Sequence, residues 1–184
     1  MKVLDFPDKA RVTPAVLDEA TLRAAIIDQL PRLRRHAFSM LYSRADAEDL
    51  VQDCVEIALL KQASLQDHAK LRAWLFSILN NLFLMWFRAR GRRGATLPIE
   101  DFADHVAASV PPDDRASAID LARAMAKLSP THRQILLLLN VEGLTYQQIA
   151  DLLDLPLGTV MSRLARARRR LRALLEGYDL REVE

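Results

Sequence analysis

Helical periodicity runs through most of this chain and stops once in its middle, and that interruption limits what the chain can fold into. From Gly94 to Arg115 there is no apolar repeat; Pro98, Pro111 and Pro112 occur with the acids Glu100, Asp101, Asp104, Asp113 and Asp114. Such a stretch can neither extend a helix nor bury a face, and it reads as a flexible acidic linker. In 184 residues it leaves two blocks, each near the lower size limit for an independent core. No strand alternation or internal repeat stands out on either side. The expected fold is therefore all-α, with two small helical domains. Residues 1–20 form an arm, 21–93 the first domain, 94–115 the linker, 116–176 the second domain and 177–184 a tail.

In the first block, Leu22, Ile26, Leu30, Leu33, Ala37 and Leu41 recur at helical spacing between Thr21, a possible cap, and Tyr42. Pro31 should bend or split this helix. A second helix, about Asp46 to Lys61, turns Leu50, Val51, Cys54, Val55, Ala58 and Leu59 inward and sets Asp46, Glu48, Asp49, Gln52, Asp53 and Glu56 on its other side. A third, about His68 to Arg90 with a possible cap at Asp67, is apolar nearly all round. A helix of that kind is packed on several sides or covered by a partner.

The second block predicts four helices: Ser117–Leu128, Pro130–Val141 with Ser129 as N-cap, Tyr146–Leu153, and Pro156–Glu176. Thr145 and Gln148 fit a capping box. A short capped helix, a tight turn at Asp154-Leu155-Pro156 and a second amphipathic helix make a helix-turn-helix, with Ile149, Ala150, Leu153, Leu155, Val160 and Leu164 as its internal core. Between Val160 and Leu175 stand six arginines and no acid. That field suits phosphate, and joined to the turn it points to duplex DNA.

Composition narrows the alternatives. The 26 basic and 24 acidic side chains nearly cancel, but unevenly: residues 94–115 carry one base against five acids, and both flanking blocks are net basic. A single cysteine, Cys54, cannot form an internal disulfide and fits a small core position. The histidines His36, His68, His105 and His132 have no zinc-ligand spacing. No metal site or cofactor is expected. Neither a catalytic triad nor a phosphate-binding glycine loop occurs, so no catalytic residue and no enzyme is expected. Met1 to Phe6 lacks a signal-peptide pattern, which predicts a cytoplasmic protein. The most apolar window, Ala73–Phe87, is broken by Ser77, Asn80 and Asn81 and falls short of the ~20 residues of a membrane span, so no direct membrane insertion is expected.

Three segments in order carry a resemblance. Asp46-Ala47-Glu48-Asp49-Leu50-Val51-Gln52-Asp53, Leu71-Arg72-Ala73-Trp74-Leu75-Phe76-Ser77-Ile78, and Leu128-Ser129-Pro130 through Leu164 resemble the corresponding runs of the extracytoplasmic-function (ECF) sigma factors, the two-domain initiation factors of bacterial RNA polymerase. The resemblance implies that residues 21–93 are sigma region 2 and residues 116–176 sigma region 4. It implies that Asp46, Glu48, Asp49, Gln52 and Asp53 dock on the clamp of the polymerase largest subunit, where an acidic face suits a basic partner. Lys61, Arg72, Asn80, Asn81, Arg88, Arg90, Arg92 and Arg93 would hold the melted −10 strand, which needs a cationic track and pockets for splayed bases.

In the final helix Thr159, Ser162, Arg163 and Arg166 would read the −35 element, while Arg168, Arg169 and Arg170 meet phosphate. The expected partners are core RNA polymerase, promoter DNA and a restraining anti-sigma factor. The chain departs from the family pattern at Asn80, Met85, Trp86 and Met161, and at Asp154, where a turn glycine is usual. Asn80, Met85, Trp86 and Met161 keep open a second reading, a sigma-like decoy (an anti-anti-sigma protein) that sequesters an anti-sigma factor without initiating transcription.

Overall fold

The computed structural model describes residues 19–65, 67–91 and 111–177. Among them are seven α-helices and no strand: α1 Glu19–Leu41, α2 Arg44–Leu60, α3 Leu71–Gly91, α4 Arg115–Lys127, α5 Pro130–Asn140, α6 Tyr146–Leu153 and α7 Leu157–Leu175. Short 3-10 turns precede α3 and α4. The expected arm, most of the linker and the tail beyond Gly177 lie outside the described residues. No helix among the described residues is long and apolar enough to cross a membrane.

The local chemistry sets the boundaries. Pro31 neither splits nor ends α1, which continues through it. Proline removes a donor to the carbonyl four residues earlier, that of Ile27. Pro31 and Ile27 both face solvent, where water can take the place of the lost bond. α1 closes at Tyr42, which adopts φ 59. A left-handed tyrosine costs ~1–2 kcal/mol, and its burial holds it there. Ser43 accepts from the Asp46 N–H at 3.2 Å and starts α2. Ser129 caps α5, with Pro130 in its first turn. The capping box at α6 has both halves, Gln148 N–H to Thr145 Oγ1 at 3.2 Å and Thr145 N–H to Gln148 Oε1 at 2.9 Å. Asp154 ends α6 at φ 51, the conformation the missing turn glycine would have taken.

α1, α2 and α3 pack against one another around Leu33, Ala37, Leu41, Cys54, Leu75, Leu79 and Phe83, none of which retains accessible surface. Burying each large apolar side chain is worth ~1.5–3 kcal/mol. Trp74, Phe76 and Phe83 are core residues. Burial pushes the Cys54 thiol up to about 12, so it is an inert packing residue. In the second half α7 is the central helix, contacting α4, α5 and α6. Its core is the expected Ile149, Ala150, Val160 and Leu164, with the expected Leu153 and Leu155 partly buried against them and Leu152 buried as well.

The two halves do not stand apart. α1 and α3 pack on α5, and α3 also packs on α6, so one apolar cluster runs through both.

Candidate nucleic-acid interface

At 100° per residue, the first turns of α7 bury Val160, Leu164 and Ala167 on one side, while Ala173 near its end is buried on the other. The opposite face carries Ser162, Ala165, Arg166 and Arg169, all exposed, with Met161 and Arg172 at its edge. Arg163 and Arg170 are half-buried at one margin, beside His132 at the start of α5. The His132 imidazole is held below its ordinary value by burial and then by Arg170, Arg163 and Arg166, which favours the neutral form at pH 7. Arg168 leans the other way, toward the Tyr146 hydroxyl at 3.4 Å. Thr159 is half-buried, and Ser162 Oγ donates to its carbonyl at 3.0 Å. Of the seven expected −35 residues, Ser162, Arg166 and Arg169 therefore share the outer face, Arg163 and Arg170 flank it on the α5 side, Arg168 flanks it on the α6 side, and Thr159 sits half-buried in the first turn.

The acidic face of α2 is a continuous surface. Glu48, Asp49, Gln52 and Asp53 are exposed, and Asp46 is half-buried in the first turn. Glu48 Oε2 accepts from Arg34 Nε of α1 at 2.9 Å. That pair is open to solvent and contributes little stability.

The residues expected on the −10 strand separate into three groups. Asn81 and Arg88 are exposed and Lys61 half-buried. The side chain of Arg90, and Arg92 and Arg93, lie outside the described residues. Arg72 and Asn80 instead point into the seam between the halves. Asn80 is 1% exposed; its Nδ2 donates to the Phe76 carbonyl at 2.7 Å and its Oδ1 accepts from Gln134 Nε2 at 2.9 Å. Arg72 Nη2 donates to the Glu142 backbone carbonyl and to Glu142 Oε2 at 3.2 Å. In this arrangement Asn80 is closed to a nucleic acid strand, whereas Arg72 is tied to Glu142 but keeps a partly exposed side chain.

Glu142 is the centre of that seam. It is buried, with Oε1 3.3 Å from His36 Nδ1 and Oε2 3.8 Å from Arg32 Nε. Burial pushes its carboxyl upward, but His36 and then Arg72 outweigh that and hold it below the ordinary carboxylate range. Nearby, Arg133 of α5 is 1% exposed. Its Nη1 donates to the Met40 carbonyl at 2.6 Å, its Nε to Met125 at 3.1 Å, and its Nη2 to Ala126 at 2.7 Å and Leu128 at 3.3 Å. One cation thus serves the carbonyl-rich C-termini of two helices, α1 and α4, where the helix dipole favours positive charge. Its guanidinium also lies 4.8 Å from the centre of the Tyr42 ring. Burial pushes the Tyr42 hydroxyl up to about 12, against the opposing effect of Arg133.

Sequence reasoning missed His36, His132, Arg133, Gln134 and Glu142. Arg133 did carry a signal: it shares a helical face with the buried Leu136 and Leu137, where an apolar residue belongs. Among the described residues no group of three or more His, Cys, Asp or Glu side chains could hold a metal ion.

Comparison with known proteins places both halves. Residues 118–171 match the model of sigma-70 region 4, and residues 26–80 that of the Sigma2 domain of PhyR. The ECF RNA polymerase sigma factor EcfG of Rhodopseudomonas palustris is 34% identical over 159 residues, which are 84% of this chain and 85% of that protein. The sigma factor RpoE of Bartonella quintana, solved in complex with the anti-sigma factor NepR, superposes with a TM-score of 0.67 at 33% identity, covering 85% of this chain and 97% of that one. The anti-anti-sigma factor PhyR of the same organism, also solved with NepR, shares the fold: TM-score 0.56 at 19% identity over 82% of this chain and 49% of that one. With a region 4 helix-turn-helix, a region 2 helical bundle and relatives of matching length, the chain belongs to the ECF RNA polymerase sigma factors, regulatory proteins of transcription initiation.

Proposed function

We propose that this sigma factor docks on core RNA polymerase through the acidic face of α2, with Asp46, Glu48, Asp49, Gln52 and Asp53 meeting the clamp of the largest subunit. Residues 21–93 act as region 2 and residues 116–176 as region 4. The outer face of α7 enters the major groove of the −35 element, with Thr159, Ser162, Arg163 and Arg166 toward base edges and Arg168, Arg169 and Arg170 toward phosphate. Lys61, Asn81, Arg88, Arg90, Arg92 and Arg93 track the melted −10 strand, joined by Arg72 and Asn80 once their contacts with Glu142 and Gln134 part. The protein works in the cytoplasm without inserting into the membrane, and an anti-sigma factor restrains it, as in the complex of the Bartonella relative.

The observation that carries this reading is the exposed Ser162, Arg166 and Arg169 stripe on a capped helix-turn-helix, set in the same chain as an uninterrupted acidic face on α2. A basic surface for polyanionic DNA and an acidic one for a basic protein partner are the two halves of a promoter-targeting factor. Run-off transcription with purified core polymerase on promoters selected from a genomic library tests it. A discrete transcript dependent on the chain is expected; absence of both core binding and transcript would refute it.

The match of residues 26–80 to the Sigma2 domain of PhyR supports a second reading, a decoy that binds an anti-sigma factor and leaves the polymerase alone. The same assay separates the two, because a decoy captures anti-sigma protein yet yields no transcript.

A further inference from the structure

We infer that His132, in the first turn of α5, is a further member of the duplex-binding surface and makes the hold of the α7 arginines on phosphate depend on pH. This role rests on the assignment of α7 to duplex DNA. Thr159, Arg163, Arg166 and Arg170 follow one another at spacings of four, three and four residues, so they lie in one row along α7. His132 stands half-buried against that row, beside Arg170, Arg163 and Arg166. Its backbone N–H is taken by the Ser129 cap at 3.3 Å, but the buried Nδ1 of its ring has no hydrogen-bond partner among the described residues. No side-chain hydrogen bond among them therefore calls for an imidazole at this position.

Burial, and then the positive field of Arg170, Arg163 and Arg166, favour the neutral imidazole. The N-terminal end of α5 adds to that field, since the helix dipole disfavours a cation in the first turn. α1, α3, α6 and α7 pack on α5, and among the described residues the charges acting on His132 come from α7. Arg133, the next residue of α5, is turned inward to the carbonyls of Met40 and Met125. His36 of α1 and Arg72 of α3 are engaged by Glu142, and Asp151 of α6 accepts from Gln147. A DNA phosphate settling on the row offsets the field of the arginines. The imidazolium then becomes the favoured form: a ring nitrogen takes a proton from solvent, and the new cation strengthens the hold on the same phosphate. A complex that binds one more proton than its free components tightens as pH falls through the value of the bound ring; well above that value the ring stays neutral and the gain is absent. The arginines supply the standing attraction, and His132 adds a contact whose strength follows the acidity of the solution.

The test uses the full chain and a labelled DNA duplex of mixed sequence at low salt, because a contact to phosphate needs no particular sequence. Fluorescence anisotropy at pH about 8 and about 5.5 compares wild type, His132→Asn and His132→Lys. Wild type should bind about three- to tenfold tighter at the lower pH, the contribution of one added cation beside a phosphate. His132→Asn should lose that gain, and His132→Lys, charged at both pH values, should bind tighter than His132→Asn at the higher one. Calorimetry of the same binding at pH about 7, in two buffers of different ionisation heat, should show a proton uptake by wild type that both variants lack, a readout that a packing role for the ring would not move. The role of His132 is overturned, with α7 still the duplex-binding helix, by equal wild-type binding at both pH values, by His132→Asn keeping the gain, by His132→Lys binding no tighter than His132→Asn, or by wild type taking up no proton. A wild type that binds no duplex at either pH overturns both the role of His132 and the reading of α7. If His132→Asn loses its helical circular dichroism, His132→Gln is measured by the same readouts, with the same outcomes.

Discussion

Replacing Arg133 with methionine keeps roughly the aliphatic stem of the side chain and removes the cation shared by the C-termini of α1 and α4. Four carbonyls lose a charge-assisted donor: Met40, Met125, Ala126 and Leu128. Hydrogen bonds to a charged group contribute about 1.5–3 kcal/mol each. Simple addition overshoots, because helix-end carbonyls relax toward water and the buried guanidinium carries its own desolvation cost. Removing one partner of a buried charged network costs about 3–5 kcal/mol, and that range is expected here. For a chain of this size, each kcal/mol lowers the melting temperature by roughly 2–4 °C, so the variant should melt about 6–20 °C below the wild type. Urea unfolding followed by far-UV circular dichroism measures the loss. Arg133→Lys should fall between the two, since a single ammonium cannot span carbonyls on both helices. If Arg133→Met unfolds within about 1 kcal/mol of wild type, the guanidinium is not the strut its four bonds suggest.

Other outcomes follow from the same geometry. Arg166→Ala should weaken −35 duplex binding by about 1–3 kcal/mol and relax sequence preference, whereas Arg169→Ala should leave preference intact and lower the salt slope by about one; salt titrations on matched and scrambled duplexes distinguish them. Asp154→Gly should stabilise the chain by up to about 1 kcal/mol in thermal unfolding, because glycine carries no Cβ penalty at φ 51, while Asp154→Val should destabilise it. Glu142 has a depressed carboxyl, so its contribution is present above the unfolded-state value and is lost as pH falls through the folded one. Its neighbours His36, Arg72 and Arg32 are basic. Wild type should therefore lose stability more steeply than Glu142→Gln as pH falls below the ordinary glutamate range, and parallel acid-unfolding curves would show that the carboxylate is not held by the seam.

The sequence by itself determined what short-range forces control. Helix positions followed from apolar spacing, and the helix-turn-helix from the Thr145–Gln148 capping box and a turn at Asp154, because these interactions join residues only a few positions apart. The acidic face of α2 and the arginines of α7 were legible for the same reason: one helix displays its own faces without reference to the rest of the chain. That Pro31 does not split α1 turns on whether the carbonyl it frees can reach water, which only the packed helix reveals.

The seam was decided by tertiary structure alone. Asn80 and Gln134 are 54 positions apart, Arg72 and Glu142 70, and Met40 and Arg133 93. Nothing in local spacing pairs them. Polar side chains on an apolar helix are chemically fit either to hold a nucleic acid strand or to meet polar groups from another part of the chain. For Arg72 and Asn80, the packing of α3 against α5 and α6 selects the second arrangement, because a buried amide or guanidinium must find a partner wherever it comes to rest.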